Sequence, residues 1–534
     1  MLIVQTNKAQ YEYDIHSLVK AFYPEQEVKV LTPESVIKDR KIKELPADIM
    51  LEFSDDVVTL KFIEQSAVDN VKELNGERHT YTRQITEEDI SDYKNVFKRF
   101  LYTSLREETG ISLPWGNLTG IRPTKIAMTM MEQGKSEEEI AAFLQDKHLV
   151  SREKTELGID IARREKTLLD QLHYEDGYSL YIGIPFCPTT CLYCSFTSFP
   201  ICVWQKRVGE YLDAMEKELR YTADAFRDKV LDTVYIGGGT PSSLAAEDLD
   251  RLLAMTREIL DFDRVMEFTV EAGRADSITR EKLQVMKKYG VTRISVNPQT
   301  MKQDTLDLIG RRHTVEQVKE AFRMAREEGF DNINMDIILG LPGEDEADVA
   351  NTIEEIKNLN PESLTVHSLA IKRASKLANW IRENGISTLH NTDKTMEIAR
   401  QGALSMGMKP YYLYRQKNMA GNFENVGYAK DFPSGISMGC VYNSAIMEEV
   451  QTIVACGAGT ISKRVYPDGR IERCENVKDV GLYIEKIEEM IERKRKMFAE
   501  EKHITEYQGR FEYKSRRLFC TIEAHENSSK SKRF

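Results

Sequence analysis

From Ser179 to Ile371 the chain repeats one pattern: a short apolar run, then an amphipathic stretch of helical period. The runs are SLYIGI, DTVYIGG, MEFTVEAG, TRISVNPQ, INMDIILGLPG and SLTVHSLAI. Between them lie QKRVGEYLDAMEKELRYTADAFRDK, AEDLDRLLAMTREIL, TREKLQVMKKYG, the segment from KQDTLDLIG through VEQVKEAFRMAREEG, and DEADVANTIEEIKNL. The runs are rich in Val and Ile and nearly continuously apolar, as strands covered on both faces are. Strand–helix alternation predicts right-handed βαβ units, and six of them make an open parallel sheet or an incomplete barrel of the α/β class. In either arrangement the chemistry belongs to the loops at the C-terminal ends of the strands.

The flanks read differently. ADIMLEFSDDVVTLKFIEQ predicts a β-hairpin turning at Ser54–Asp56, and EEDISDYKNVFKRFLYTSLREETG predicts a helix ending at Gly110. LPWGNLTGIRPTK places Pro and Gly at turn positions. EEEIAAFLQDKHLVSREKTELGIDIA predicts two short helices about a turn, read as a packing element rather than a nucleic-acid reader. The expected organisation is an N-terminal α+β extension of unassigned role (1–175), the partial barrel (176–375), a mostly helical, substrate-side C-terminal region (376–520) and a disordered tail (521–534).

Charge and composition narrow the function classes. The 534 residues carry a net charge of −12, which opposes a dedicated nucleic-acid binder but leaves room for a local basic pocket. No stretch reaches the apolar length of a membrane span, and MLIVQTNKAQYEYDI lacks the basic start and cleavage site of a signal peptide. Eight cysteines without an export signal are expected in the reducing cytoplasm, bound to metal rather than paired as disulfides.

Three of those cysteines, Cys187, Cys191 and Cys194, stand in YIGIPFCPTTCLYCSF with the spacing C-x3-C-x2-C. Thiolates are the preferred ligands of iron–sulfur clusters and of zinc. A structural zinc site wants four ligands, so a zinc knuckle needs Cys202 or a distant thiol to complete it. Three thiolates on a 4Fe–4S cube leave one iron open to a substrate or cofactor. The next strand ends in YIGGGTPSSL, whose successive glycines suit a backbone lying against a ligand. Glu271, Gln299, Arg311 and Asp336 stand at or near the ends of later strands. Together on one rim they suit a polar ligand with an amine, a carboxylate and a ribose.

YIGIPFCPTTCLYCSF, YIGGGTPSSL, VEAG, RISVNPQT, LIGRRHT and MDIILGLPG together resemble a radical S-adenosylmethionine (SAM) enzyme. Within that superfamily they resemble the oxygen-independent coproporphyrinogen III oxidase group, in particular the branch called coproporphyrinogen dehydrogenase. The resemblance spans residues 179–375 and implies a partial (β/α)6 barrel. It implies that Cys187, Cys191 and Cys194 hold a 4Fe–4S cluster. Tyr181, Gly238 and Glu271 match contacts to a first SAM. Tyr193, Gly239, Thr240, Gln299, Arg311 and Asp336 match contacts to a second, giving two SAM per chain. An electron donor such as flavodoxin or ferredoxin is implied, and a tetrapyrrole substrate. The implied reaction cleaves SAM reductively, abstracts hydrogen from propionate β-carbons and releases CO2, turning coproporphyrinogen III into protoporphyrinogen IX.

Two positions depart from the group. Phe196 stands where many of its oxidases carry another cysteine, and Gly183 where some carry His. Phe196 also resembles the haem-chaperone branch. A haem-binding chaperone and a radical SAM enzyme acting on another tetrapyrrole therefore stay open. RNA modification is opposed by the charge of −12. Lys372, Arg373 and Arg415 are candidates for the substrate's carboxylates, beside Tyr411, Tyr412 and Tyr414, although each singly reads as a solvated or core residue. Cys440 and Cys456 read as small buried residues, and His313 and His367 as hydrogen-bonded structural groups.

Overall fold

A computed structural model describes all residues except 25, 39–45, 69–70, 121, 372–374, 386–388, 417–418, 420–422 and 500–534, and gives the backbone alone at 36–38, 65–68 and 71–76. Lys372, Arg373, Cys520 and the expected tail lie outside the described residues.

The apolar start of the chain is a strand. β1 (Leu2–Thr6) lies parallel to β2 (Val28–Leu31) and β3 (Ile49–Phe53), with α1 (Glu12–Phe22) between the first two strands. α2 (Pro33–Lys38) follows β2. The expected hairpin forms from β3 and β4 (Val57–Val68), closed by the Ser54 amide on the Val57 carbonyl at 2.9 Å, and β5 (Val71–Gln84) completes the sheet. α3 (Tyr93–Thr109) packs Phe97 and Leu101 against Ile15, Leu18 and Leu60. It stops at Gly110, whose φ of +70° is the left-handed cap glycine tolerates best. α4 (Thr124–Glu132), α5 (Glu137–His148) and α6 (Arg152–Leu169) follow. Ser136 and Glu139 form a capping box at the start of α5, and Ser151 caps α6, so the expected helical pair has the sequence signals for both starts.

The six apolar runs are six parallel strands in chain order: β6 (Gly177–Ile184), then, after the short pair β7 (Phe186–Cys187) and β8 (Phe199–Pro200), β9 (Val230–Gly238), β10 (Glu267–Gly273), β11 (Arg293–Val296), β12 (Ile333–Leu339) and β13 (Ser363–Ser368). The connecting helices are α7 (Ile201–Trp204), α8 (Val208–Ala225), α9 (Ala246–Ile259), α10 (Arg280–Lys288), α11 (Gln303–Leu308), α12 (Val315–Glu327) and α13 (Glu346–Leu359). Leu180, Ile182, Val234, Ile236, Val270, Ile294 and Val366 are buried in a single apolar core, as near-continuous apolar strands require.

After residue 376 helices alternate with strands: α14 (Leu377–Asn384), α15 (Asp393–Ser405), β14 (Lys409–Tyr414), β15 (Asn425–Ala429), α16 (Val441–Glu448), β16 (Thr452–Cys456), β17 (Ile461–Val465), β18 (Ile471–Glu475), α17 (Val480–Glu485) and α18 (Ile487–Phe498). All five of these strands join the same sheet, in the order β14-β15-β13-β12-β11-β10-β9-β6-β16-β17-β18. β15 runs antiparallel to β13, and β16 runs parallel to β6, so a seventh parallel strand flanks the first. Among the described residues the two ends of this sheet do not pair, which leaves the barrel open.

A buried ion pair fastens this closing segment. Lys494 on α18 and Glu218 on α8 are bonded to each other, both side chains fully buried. Tyr483 donates to Glu218 at 2.6 Å, the Gly457 amide donates to it at 2.8 Å, and Lys494 also donates to the Ala455 carbonyl. These bonds satisfy the carboxylate and the ammonium that burial would otherwise leave exposed to a low dielectric.

Candidate active site

Cys187 ends β7, and a glycine strip lies flat against it. The Gly239 amide donates to the Ile184 carbonyl at 2.8 Å and the Thr240 amide to the Phe186 carbonyl at 2.7 Å. A Cβ at Gly239 would stand 3.0 Å from the Cys187 Sγ and 2.6 Å from the Phe186 oxygen, so only glycine fits this approach. Gly238 has a φ of +110°, also a glycine conformation. Cys187 Sγ lies 3.5 Å from the Thr240 hydroxyl. Cys191 and Cys194 share a tight turn, with the Cys194 amide on the Cys191 carbonyl at 3.2 Å. The loop is tied across the barrel by Thr189 Oγ1 on the Gly310 carbonyl (2.9 Å) and the Leu192 amide on the Ile309 carbonyl (2.9 Å).

All seven described cysteines are free thiols. Burial pushes the Cys187 thiol up to about 11 and raises Cys194 too, so binding of metal to them releases protons. Among the described residues no three His, Cys, Asp or Glu side chains converge closely enough to hold one metal ion. Three thiols on one loop, with no fourth ligand beside them among the described residues, are the donor set of a sulfide-bridged cluster rather than of a four-ligand zinc site.

Sequence reasoning missed the cation beside them. Arg274, one residue past β10, is buried; its Nη1 donates to Thr189 Oγ1 at 2.8 Å and reaches Cys191 Sγ at 3.8 Å. Asp276 holds the other edge of the guanidinium at 3.0 and 2.6 Å. His313 is buried beside it, 3.8 Å from Asp276. The signal was present in EAGRAD, a charged pair immediately past a strand end.

Tyr181, on β6, stacks with Tyr235 and Tyr442 at ring separations of 6.0 and 5.9 Å, and those two rings lie 4.7 Å apart. The Tyr235 hydroxyl donates to Glu271, and the Gly238 amide nearby helps to hold the carboxyl's pKa down. Burial raises the Glu271 carboxyl to about 7, with the Tyr235 bond opposing the shift and the Asp336 charge adding to it. Tyr181, Gly238 and Glu271 therefore share one wall. Tyr235 and Tyr442 complete it, and neither stood out in the sequence.

The remaining expected residues form two linked pairs, the first of them on the cysteine loop itself, where Arg311 also lies beside Cys191. Arg311 is buried, donates from Nη1 to the Asn297 carbonyl at 2.6 Å and from Nη2 to the Tyr193 hydroxyl at 3.3 Å, and its Nε has no partner. Gln299 takes a φ of +69°, a strained value for a residue with a side chain, and its amide donates to the Asp336 carbonyl at 2.9 Å. The Asp336 carboxyl accepts from Asn334 at 2.7 Å and lies 3.7 Å from His367 Nε2. Burial works to raise this carboxyl, but the His367 and Asn334 contacts outweigh it and hold it below the usual range. Tyr414 pairs with His367 Nδ1 at 3.3 Å.

The other candidates fall elsewhere. Arg415 is buried and donates to the Leu118 carbonyl at 2.7 Å, and Tyr411 and Tyr412 are core residues. Cys440 donates to Glu267, at the start of β10 and so at the opposite end of the strands from the cysteine loop. Cys456 ends β16, buried 3.6 Å from Thr222 Oγ1.

The sequence profile of the radical SAM superfamily matches residues 181–356. The chain is 41% identical over 426 residues to the oxygen-independent coproporphyrinogen-III oxidase-like protein HemZ of Bacillus subtilis (strain 168), covering 78% of this chain and 84% of that one. It is 38% identical over 206 residues to the heme chaperone HemW of the same organism, covering 38% and 54%. It is 31% identical over 196 residues to the oxygen-independent coproporphyrinogen III oxidase of Salmonella typhimurium strain LT2, covering 37% and 42%. Membership of this superfamily implies a 4Fe–4S cluster and SAM, for which the donor set described above is suited. No helix among the described residues is long and apolar enough to cross a membrane. The chain belongs to the radical SAM superfamily and, within it, to the family of oxygen-independent coproporphyrinogen III oxidase-like proteins.

Proposed function

We propose that the protein is a coproporphyrinogen dehydrogenase, converting coproporphyrinogen III to protoporphyrinogen IX by oxidative decarboxylation of two propionates, in the cytoplasm and in haem biosynthesis. One observation carries the reading. Gly237 and Gly239, two positions apart on one strip, lie against the Glu271 carboxyl and the Cys187 thiol respectively, so a cluster on the loop and a cationic ligand on Glu271 become neighbours. In this reading Cys187, Cys191 and Cys194 hold the cluster, and Arg274 sets the charge beside it. When bound, the cluster and SAM supply the one-electron cleavage that starts radical chemistry.

The chain's own residues position and shield. Glu271, ionised, accepts from the SAM amine, with Gly238 and Tyr181 on the same wall. The stacked rings of Tyr181, Tyr235 and Tyr442 keep water from that wall. Tyr193, Gly239, Thr240, Gln299, Arg311 and Asp336 hold a second SAM, the unpartnered Arg311 Nε being free for its carboxylate. The reductant is a small donor such as flavodoxin or ferredoxin. Anaerobic incubation of reconstituted protein with SAM, reductant and coproporphyrinogen III, read by product mass, tests this: loss of two CO2 per porphyrinogen is expected, and 5′-deoxyadenosine without any vinyl product rejects it.

A haem-carrying role is the second reading. It is favoured by the 38% identity to the HemW chaperone over 206 residues, against 31% over 196 to the Salmonella oxidase, and by Phe196. It expects stoichiometric haem binding and no product in the same assay.

A further inference from the structure

A cavity of about 600 Å³ opens between α3, the residues Leu118–Gly120 and Arg122–Pro123, the start of α4 and the end of α5. Its described lining includes the cations Lys98, Arg122 and Lys125 and contains no carboxylate, in a chain whose net charge is −12. We propose that this cavity binds a phosphate ester with a flat apolar body, a ligand of nucleotide size.

Lys98 carries the argument furthest. Its side chain is only 12% exposed, yet its ion-pair partner, Asp14 Oδ1, is 4.0 Å away, and the other Asp14 oxygen is held by Lys94 at 2.9 Å. A buried ammonium with so distant a counter-charge is costly unless an anion comes to it. Arg122 is already committed, donating to Glu449 at 2.8 Å and to the Met447 carbonyl at 2.5 Å. Lys98 and the exposed Lys125 therefore remain for a ligand. Helix α4, nine residues long, starts at the same cavity with no side-chain cap on its first turn. Ammonium groups act as point charges, and two of them beside an uncapped helix start suit the higher charge of a phosphate better than the single charge of a carboxylate.

The rest of the lining is largely apolar. It includes Leu118, Ile126, Met130 and Phe143, and Phe143 meets the His148 ring edge-on at 5.3 Å. His148 Nδ1 is bonded to Asn117 at 3.0 Å, and burial with the nearby Lys98 charge lowers the ring to about 4, so it is neutral and adds stacking surface without charge. The volume exceeds what a bare anion needs and falls in the range of small-molecule sites.

The test uses full-length protein carrying its cluster, kept anaerobic with saturating SAM so that the adenosyl site is filled. ATP and inorganic pyrophosphate are titrated calorimetrically. ATP is expected to bind, at least tenfold more weakly in both Lys125→Glu and Lys98→Met, while Lys125→Glu retains wild-type SAM cleavage. Lys98→Met should leave the melting temperature of the nucleotide-free chain unchanged or raised; a fall would mark Lys98 as the structural partner of Asp14 and overturn its assignment. Pyrophosphate binding as tightly as ATP overturns the apolar body. No heat with ATP, or binding indifferent to both substitutions, overturns the site, whether or not the chain acts on coproporphyrinogen.

Discussion

Arg274 Nη1 lies 3.8 Å from the Sγ of Cys191, the second thiol of the cysteine loop. Asp276 and Thr189 fix the guanidinium, so the charge cannot swing away when the thiols change state. A fixed cation beside a cluster favours its more negative, reduced form. Arg274→Gln should retain iron and sulfide but shift the cluster midpoint negative, on the order of tens of millivolts. A redox titration followed by EPR reads the shift; an unchanged midpoint removes Arg274 from the site.

Glu271 sets a pH dependence. Its folded value of about 7 lies above the ordinary 4.5, so the carboxyl is protonated below neutrality and cannot receive a cation there. SAM affinity should fall roughly tenfold per pH unit below 7 and level off above about 8. Ligand-free stability runs the other way: the contribution is full below 4.5 and is lost as pH rises through 7. Glu271→Gln should flatten both profiles and weaken SAM binding at pH 8 by about ten- to a hundredfold. Equilibrium dialysis across pH 6 to 8.5 decides it.

Gly239→Ala should cost cluster occupancy before it costs the fold. The added methyl meets a thiol at 3.0 Å and a backbone oxygen at 2.6 Å, and the backbone oxygen has no room to retreat. Overpacking of this kind costs about 1–3 kcal/mol, which a chain of this size survives. Iron per chain after reconstitution should drop severalfold while far-UV circular dichroism is unchanged. Full iron content would mean that the strip tolerates a side chain.

Lys494→Ala should destabilise strongly. Removing one member of a fully buried pair leaves the Glu218 carboxylate uncompensated, at a cost of about 3–5 kcal/mol. Glu218→Gln combined with Lys494→Met should recover much of the loss, because both charges leave together. Denaturant midpoints of the single and double variants measure the coupling.

Much of this architecture was legible beforehand. Six apolar runs became six strands in order, because strands buried on both faces write their burial directly into composition. The Gly110 cap and the Ser54–Asp56 turn were equally local signals. What escaped depended on distant partners. β16 lies beside β6, and Glu218 meets Lys494 behind it, through partners more than 250 positions apart. Arg274 and Tyr235 read as an ordinary loop cation and an ordinary strand aromatic until the fold set them against Cys191 and Glu271. Arg415 looked available in YYLYRQK and is instead spent on the Leu118 carbonyl. The left-handed turn at Gln299 had no glycine to announce it.

The placement of β16 next to β6 has a consequence for biogenesis. The strand that leads into the cysteine loop gains this neighbour only when residues 452–456 are made, about 270 positions later in the chain. At roughly 5–20 residues per second a ribosome leaves that edge uncovered for on the order of tens of seconds. During that interval one edge of β6 has no partner strand, so the sheet that carries the cysteine loop finishes its pairing only with the last fifth of the chain.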